Sequence, residues 1–542
     1  MRTAMMRHGG PLAIIALAAI AWGNVGCQNK AAAPNAAGKA AAPVSSAQVG
    51  EVEDQLKSAL YQLQPEHLNI DSRLDDAVSV LNNWWAAVKE AGLKPQGLMP
   101  PELPEGRVSD AQRTALQRDS FGPEDGRAIH TAYFAKAVAD QVTEDATGEL
   151  DRIVKVFEWT CRNIALDADD VSTRPSTLYE TLIVGHGCPA DRAWVMGAVL
   201  KQLRWDLVIL HPHGVKMETP DAAWLAGVPH EGEVYLFDLR LGLPIPNGDT
   251  PDRPATLRQI LAHPDWLSAL SPRADQPYEP NAEQLKSAEA AVYTTPVSWS
   301  PRMWSVEQLL PGDLLCALYE PANKFGDADG VFERVAKVGD GWAANQIQVW
   351  GYPADHEARF AAMDERAAKE IHALFVPFLM PLELRVDRES KQKSLVQTMQ
   401  QLQIRTDQLY GRRSDAVSQY VTIRQLAVAT PLDPGLTPVY QQAADDAFYF
   451  SCVCKYEAED LETAAKSLGD YVKRSRRGGR WGAAARSLLA DCLAAQGNTT
   501  AAVQTVRAQE SDDPYRARHA ILVNRWSAKA KSPEPAVEAN AK

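Results

Sequence analysis

The stretch GHGCPADRAW, residues 185–194, and the three short apolar runs after it constrain the fold more than any other part of the chain. Cys188 takes a helix-cap position and Pro189 the first helical position, where a missing N–H costs nothing. Glycines on both sides of His186 let the backbone turn sharply and leave the sulfur accessible. A thiol placed there lies over free backbone N–H groups at the positive end of the helix dipole. Both features favour thiolate and the holding of an oxyanion, while the charge of Asp191 opposes thiolate. The hydrophobic pattern then changes from helical periodicity to short runs at 206–210, 222–228 and 233–237, separated by turn residues. A helix followed by three antiparallel strands is an α+β arrangement, and Asp238 closes the third strand.

This order of elements resembles the transglutaminase-like fold of the papain-type superfamily over residues 125–245. The helix expected at 154–164 resembles the element that precedes the family's nucleophile. The resemblance implies an attack by cysteine on a carboxamide or peptide carbonyl, a histidine on the second strand as general base, and an aspartate on the third that orients it. Cys188 falls on the nucleophile and Asp238 on the orienting carboxylate. The family histidine, often followed by a small residue and tryptophan, falls on Ala222 of Ala222-Ala223-Trp224. Alanine accepts no proton, a defect worth typically ~10²–10⁴ in rate. His213 is the best substitute, with His211, His230 and His186 behind it. Arg192, one turn into the helix, has Asp238 or Glu233 as its expected partner.

The N-terminus has Arg2 and Arg7 before an apolar run at 11–22, then Val25-Gly26-Cys27. That is a secretory signal, too short to span a bilayer comfortably. Val25-Gly26-Cys27 resembles the end of the lipobox of bacterial lipoproteins, with Asn24 where that family usually has leucine. It implies lipidation of Cys27 and anchoring on the periplasmic side, to the outer rather than the inner membrane. Residues 1–26 are the signal, and 27–50 an Ala/Pro/Gly/Ser-rich flexible tether. The formal charge of −13 and the lack of a dense Lys/Arg run exclude nucleic acid as the main partner. No CxxC and no paired His/Cys set points to a metal, and nothing points to a cofactor. Cys452 and Cys454 are two apart on a helix and so face different ways.

Residues 51–124 read as helical, with Ala77, Val80, Leu81, Trp84, Trp85 and Val88 as one core stripe. The α+β domain is placed at 125–280, and a mixed segment at 281–385 has a strand at 313–318 but no assignable chemistry. Residues 386–526 are helical with a weak internal repeat. Gly411, Glu459 and Gly497 mark the same tight turn, each followed by an Ala-rich helix. This resembles tetratricopeptide repeats, which stack helix pairs into a surface that holds peptides or protein partners. Residues 527–542 are expected to be a disordered tail.

The sequence thus points to a lipid-anchored envelope protein with a degenerate transglutaminase-like domain and partner-binding helical repeats. The alternative is a thiol hydrolase or acyltransferase that uses Cys188.

Overall fold

A computed structural model describes residues 46–531 apart from 69–73, 93–105, 168–174, 176, 213–223, 251–252, 311, 323–328, 339–340, 364, 381, 385–396, 430–433, 475–478 and 508–512. The signal, Cys27, Ala222 and His213 therefore lie outside the described residues.

The three apolar runs form the centre of a six-stranded sheet. Its order is Leu243–Pro244, Glu233–Asp238, Leu225–His230, Val208–His211, Glu289–Val292, Gln348–Val349, antiparallel except for the last pair. Alternate residues serve two cores, as the period of two in a strand requires. Ile209, Ala226, Val228 and Phe237 pack toward Pro189–Gln202 and Glu149–Asn163. Val208, Leu210, Leu225, Val234 and Leu236 pack with Ile260, Leu270, Val331 and Phe332 on the other face. A sheet buried on both faces explains why its strands read as continuous apolar runs rather than as an alternation.

The segment at 281–385 supplies two of the six strands, Glu289–Val292 and Gln348–Val349. The strand expected at 313–318 is absent. Gly312–Leu314 is a 3-10 turn, and the backbone beyond it bonds to side chains instead of a ladder. Gln202 takes the N–H of Ala317, and Glu307 takes those of Leu318 and Tyr319. At the N-terminus, helix Ser46–Gln62 opens inside the stretch expected as tether. It packs on Leu74–Glu90, whose buried stripe is the expected one except that Val78 is buried and Val80 only partly so. This pair shares a core with Phe121, Met303, Val306 and Tyr319.

The helical region is repeat-like, and its three turns are built alike. Gly411, Glu459 and Gly497 all have left-handed φ, +82°, +59° and +79°. The N–H of each following residue reaches the carbonyl five positions back: Arg412 to Asp407, Asp460 to Lys455, Asn498 to Leu493. That bond ends one helix and starts the next. Five residues after each turn stands a fully buried alanine, Ala416, Ala464 or Ala502, small enough for the paired helices to approach closely. Glu459 carries the left-handed conformation without glycine, at a cost of about 1–2 kcal/mol. The last helix, Arg516–Lys531, runs through Ser527, where the tail was expected to start. Among the described residues no helix is long and apolar enough to cross a membrane.

Candidate functional site

The turn before Cys188 is shaped by contacts as well as by torsion. Gly185 has φ +74°, and a Cβ there would meet Phe450 at 2.9 Å and Arg405 at 3.1 Å, both from the helical region. Gly187 has no room for a Cβ because the Asp191 side chain fills the space. His186 and Gly187 pair in parallel with Ala165 and Leu166, and Cys188 then caps Pro189–Gln202 as expected.

The thiol is buried, 4% exposed, rather than accessible. Its sulfur lies 3.5 Å from the hydroxyl of Tyr352, which in turn lies 2.8 Å from Asp191 Oδ1. The other Asp191 oxygen accepts the N–H of Cys188 at 2.8 Å. Burial, with Asp191 and Cys188 alongside, pushes the Tyr352 phenol far above its ordinary range. The phenol therefore keeps its proton and donates it to the carboxylate. Its oxygen is then left to accept, an arrangement that suits S–H as the donor in the Cys188–Tyr352 contact. The Asp191 carboxylate occupies the positive helix end that a thiolate would otherwise use.

Tyr352 and its neighbours were missed by sequence reasoning, because they belong to the segment without assigned chemistry. Trp350 stacks on Tyr352 at 5.3 Å, and Trp194 meets it edge-on. His356, one turn further, is buried with its ring 4.2 Å from that of Tyr352, and its Nδ1 accepts from Arg359 at 2.7 Å. Tyr352 and His356, four apart on one face of Tyr352–Ala361, with Trp350 just before that helix, were the available signal.

The other expected site residues among those described have partners of their own. Asp238 is fully buried and accepts from Tyr278 at 2.8 Å, from Arg240 at 2.9 Å, and from the N–H groups of Arg240 and Leu241. Phe237 and Leu239 face the Cys188 helix, whereas Asp238 follows Leu236 to the opposite side of the sheet, beside Tyr278. His211 stands opposite Glu289 at 3.7 Å in the strand pairing. His230 lies 3.5 Å from Glu149, and His186 faces Asp167 and the edge of Trp481. Arg192 reaches neither Asp238 nor Glu233. It donates to the carbonyls of Cys161, Ile164 and Leu239 and to the Tyr515 hydroxyl, so it caps the end of Glu149–Asn163. Glu233 is bridged by Arg258 instead.

A second concavity lies where the helical region meets the sheet domain. This cleft of about 330 Å³ runs between Glu149–Asn163, the Leu241–Gly242 turn and three helices of the repeat region. Tyr449, Tyr456 and Trp526 supply aromatic walls, and Arg162, Arg518 and Asp491 supply charge. The Nε of Arg162 is buried without a hydrogen-bond partner. Among the described residues no cluster of three or more His, Cys, Asp or Glu is arranged to hold a metal ion. Comparison with known proteins gives no match: no protein family, no curated protein and no solved structure is similar to the chain.

Proposed function

We propose that the protein is a non-catalytic binding protein of the cell envelope, held to the membrane through Cys27. In this reading its transglutaminase-like domain has lost its chemistry, and its tetratricopeptide-like helices hold a peptide segment of a partner. The observation that carries the proposal is the buried Cys188–Tyr352–Asp191 chain. It uses the sulfur as a donor within the core, which is the opposite of an activated nucleophile. The cleft supports the binding half, since aromatic walls with a few placed charges are what peptide recognition uses.

The test is alkylation of the native protein by iodoacetamide at neutral pH. The other described cysteines form a quiet background, because burial raises the thiols of Cys161, Cys316, Cys452, Cys454 and Cys492. Cys188 is expected to react at least ~10²-fold more slowly than an exposed thiol, with a rate that tracks global opening. Tyr352→Phe should raise that rate, while His213→Ala leaves it unchanged and His356→Ala, which removes a buried ring beside Tyr352, does not lower it. Fast labelling that is lost with either histidine would restore the hydrolase or acyltransferase reading. For the anchor, Cys27→Ser is expected to move the protein from the membrane to the soluble fraction, and a variant that stays bound would remove that part of the proposal.

A further inference from the structure

Two alanine-bearing helix faces meet around a small pocket that shares Trp194 with the Cys188 site. Ala128, Ala132 and Ala135 of Pro123–Val142 face Ala198 of Pro189–Gln202, and the missing side-chain volume leaves about 70 Å³ open between them. Trp194 and Tyr293 wall it. This is about half the ~150 Å³ that encloses a benzene ring, so the occupant is a molecule of few heavy atoms.

One end of the pocket is charged. Lys201, in the last turn of the Cys188 helix, lines it half-buried, and no carboxylate stands within 4 Å of its ammonium among the described residues. Glu307, Glu320 and Asp206 are the acids that act on it electrostatically, and each is already engaged, Asp206 with Arg334. Glu307 is bonded to Arg204 and to the backbone of Leu318 and Tyr319, and Glu320 to Arg334. Gln202 beside it is spent on Ala317. On the remaining wall Arg127 and Glu357 oppose each other in charge. Neither Lys201 nor Arg127 has an ion pair within 4 Å among the described residues, and burial lowers the Lys201 pKa. An apolar void ending in an unpaired cation is complementary to a small anion with a short apolar body.

We propose that this pocket binds a short-chain monocarboxylate of two to four carbons. Its carboxylate meets Lys201 Nζ, and its alkyl chain fills the space left by the alanines between Trp194 and Tyr293. The site is independent of the proposed partner cleft, which lies along Glu149–Asn163 and the repeat helices. Nothing covalent is required, and the ammonium stays protonated in the complex because it gains a partner.

The experiment is calorimetric titration of the full mature protein with sodium propionate at neutral pH, against sodium chloride and against propanamide. Saturable binding of propionate is expected, with propanamide at least ~tenfold weaker because it lacks the charge. Lys201→Met is expected to weaken propionate by at least ~tenfold, and Ala198→Leu to abolish binding by filling the void, both with unchanged melting temperature. If either variant fails to fold, the propionate-to-propanamide ratio on the wild type decides the role of the cation. Propionate that does not saturate, or that binds propanamide's equal or Lys201→Met unchanged, overturns the proposal.

Discussion

Arg405→Ala is expected to destabilise the protein by about 3–5 kcal/mol, measured by chemical denaturation. Arg405 is fully buried, yet no carboxylate lies within 4 Å of it among the described residues. Its guanidinium donates to the carbonyl of Leu182 at 3.0 Å, and to the carbonyl and side-chain oxygen of Asn163, both at 3.3 Å. Those carbonyls belong to the last turns of Leu178–Val184 and Glu149–Asn163, where helical acceptors have no partner of their own. One cation thus serves the negative ends of two helix dipoles, which replaces the missing counter-ion. The face of Phe450 lies 4.2 Å from the guanidinium and closes the site. Truncation strands two carbonyls in a dry interface and opens a void beneath Phe450. Arg405→Lys should recover only part of the loss, since a single ammonium cannot span both helix ends. A loss below about 1 kcal/mol would show that this contact does not join the repeat region to the sheet domain.

That contact also limits what the repeats can offer a partner. Tyr449 stacks on Trp481 at 4.4 Å, Trp481 meets His186, and Arg518 donates to the carbonyls of Leu241 and Gly242. The helices are packed against the α+β domain along these lines, in one core with Val184, Trp194 and Phe237. The concavity on which the proposed partner is placed is the cleft beside Tyr456 and Trp526. This is why the proposed partner is a short peptide segment and not a folded domain.

How much of this was legible depended on the range of the interaction. The repeat turns were readable because their cause is local: a left-handed residue and a small one five positions later. The cap at Cys188 was readable for the same reason. Its sulfur's partner was not, because Tyr352 is 164 positions away and arrives through a segment whose short strand joins the sheet edge. Asp238 closes the third strand as expected, but the strand is apolar on both faces. The sequence therefore carried no sign of which parity turns toward Cys188. The strand expected at 313–318 shows the converse error. Its apolar run fits a strand locally, yet Gln202 and Glu307 take the backbone donors that a ladder would need.

Stability should fall as pH falls below about 6.5, and His130 is one identifiable cause. It is buried in Pro123–Val142, with Nδ1 2.9 Å from the carbonyl of Leu63 and its ring against Tyr179. A carbonyl only accepts, so the neutral ring donates from Nδ1, and burial lowers its pKa to about 4. The unfolded chain takes up that proton near pH 6.5, so between pH 6.5 and 4 it binds more protons than the folded state, and stability falls as pH falls. The loss is roughly 3 kcal/mol by pH 4, with a slope near ~1.4 kcal/mol per pH unit. His519, buried beside Arg518 and Arg486 and lowered to about 3, adds a similar loss over the same window. Asp446 acts in the other direction. Burial raises it to about 6, so acidification from pH 6 to 4 relieves a strained carboxylate and returns roughly 3 kcal/mol. For these three groups together the expectation is a fall of roughly 3–4 kcal/mol between pH 7 and 4, which the burial-raised carboxyls of Asp206, Glu357 and Asp445 oppose. His130→Asn keeps a donor for Leu63 but does not titrate. Its denaturation free energy, followed from pH 7 to 4, should fall by roughly 3 kcal/mol less than that of the wild type. Parallel curves for the two proteins would mean that His130 takes up its proton without opening the fold.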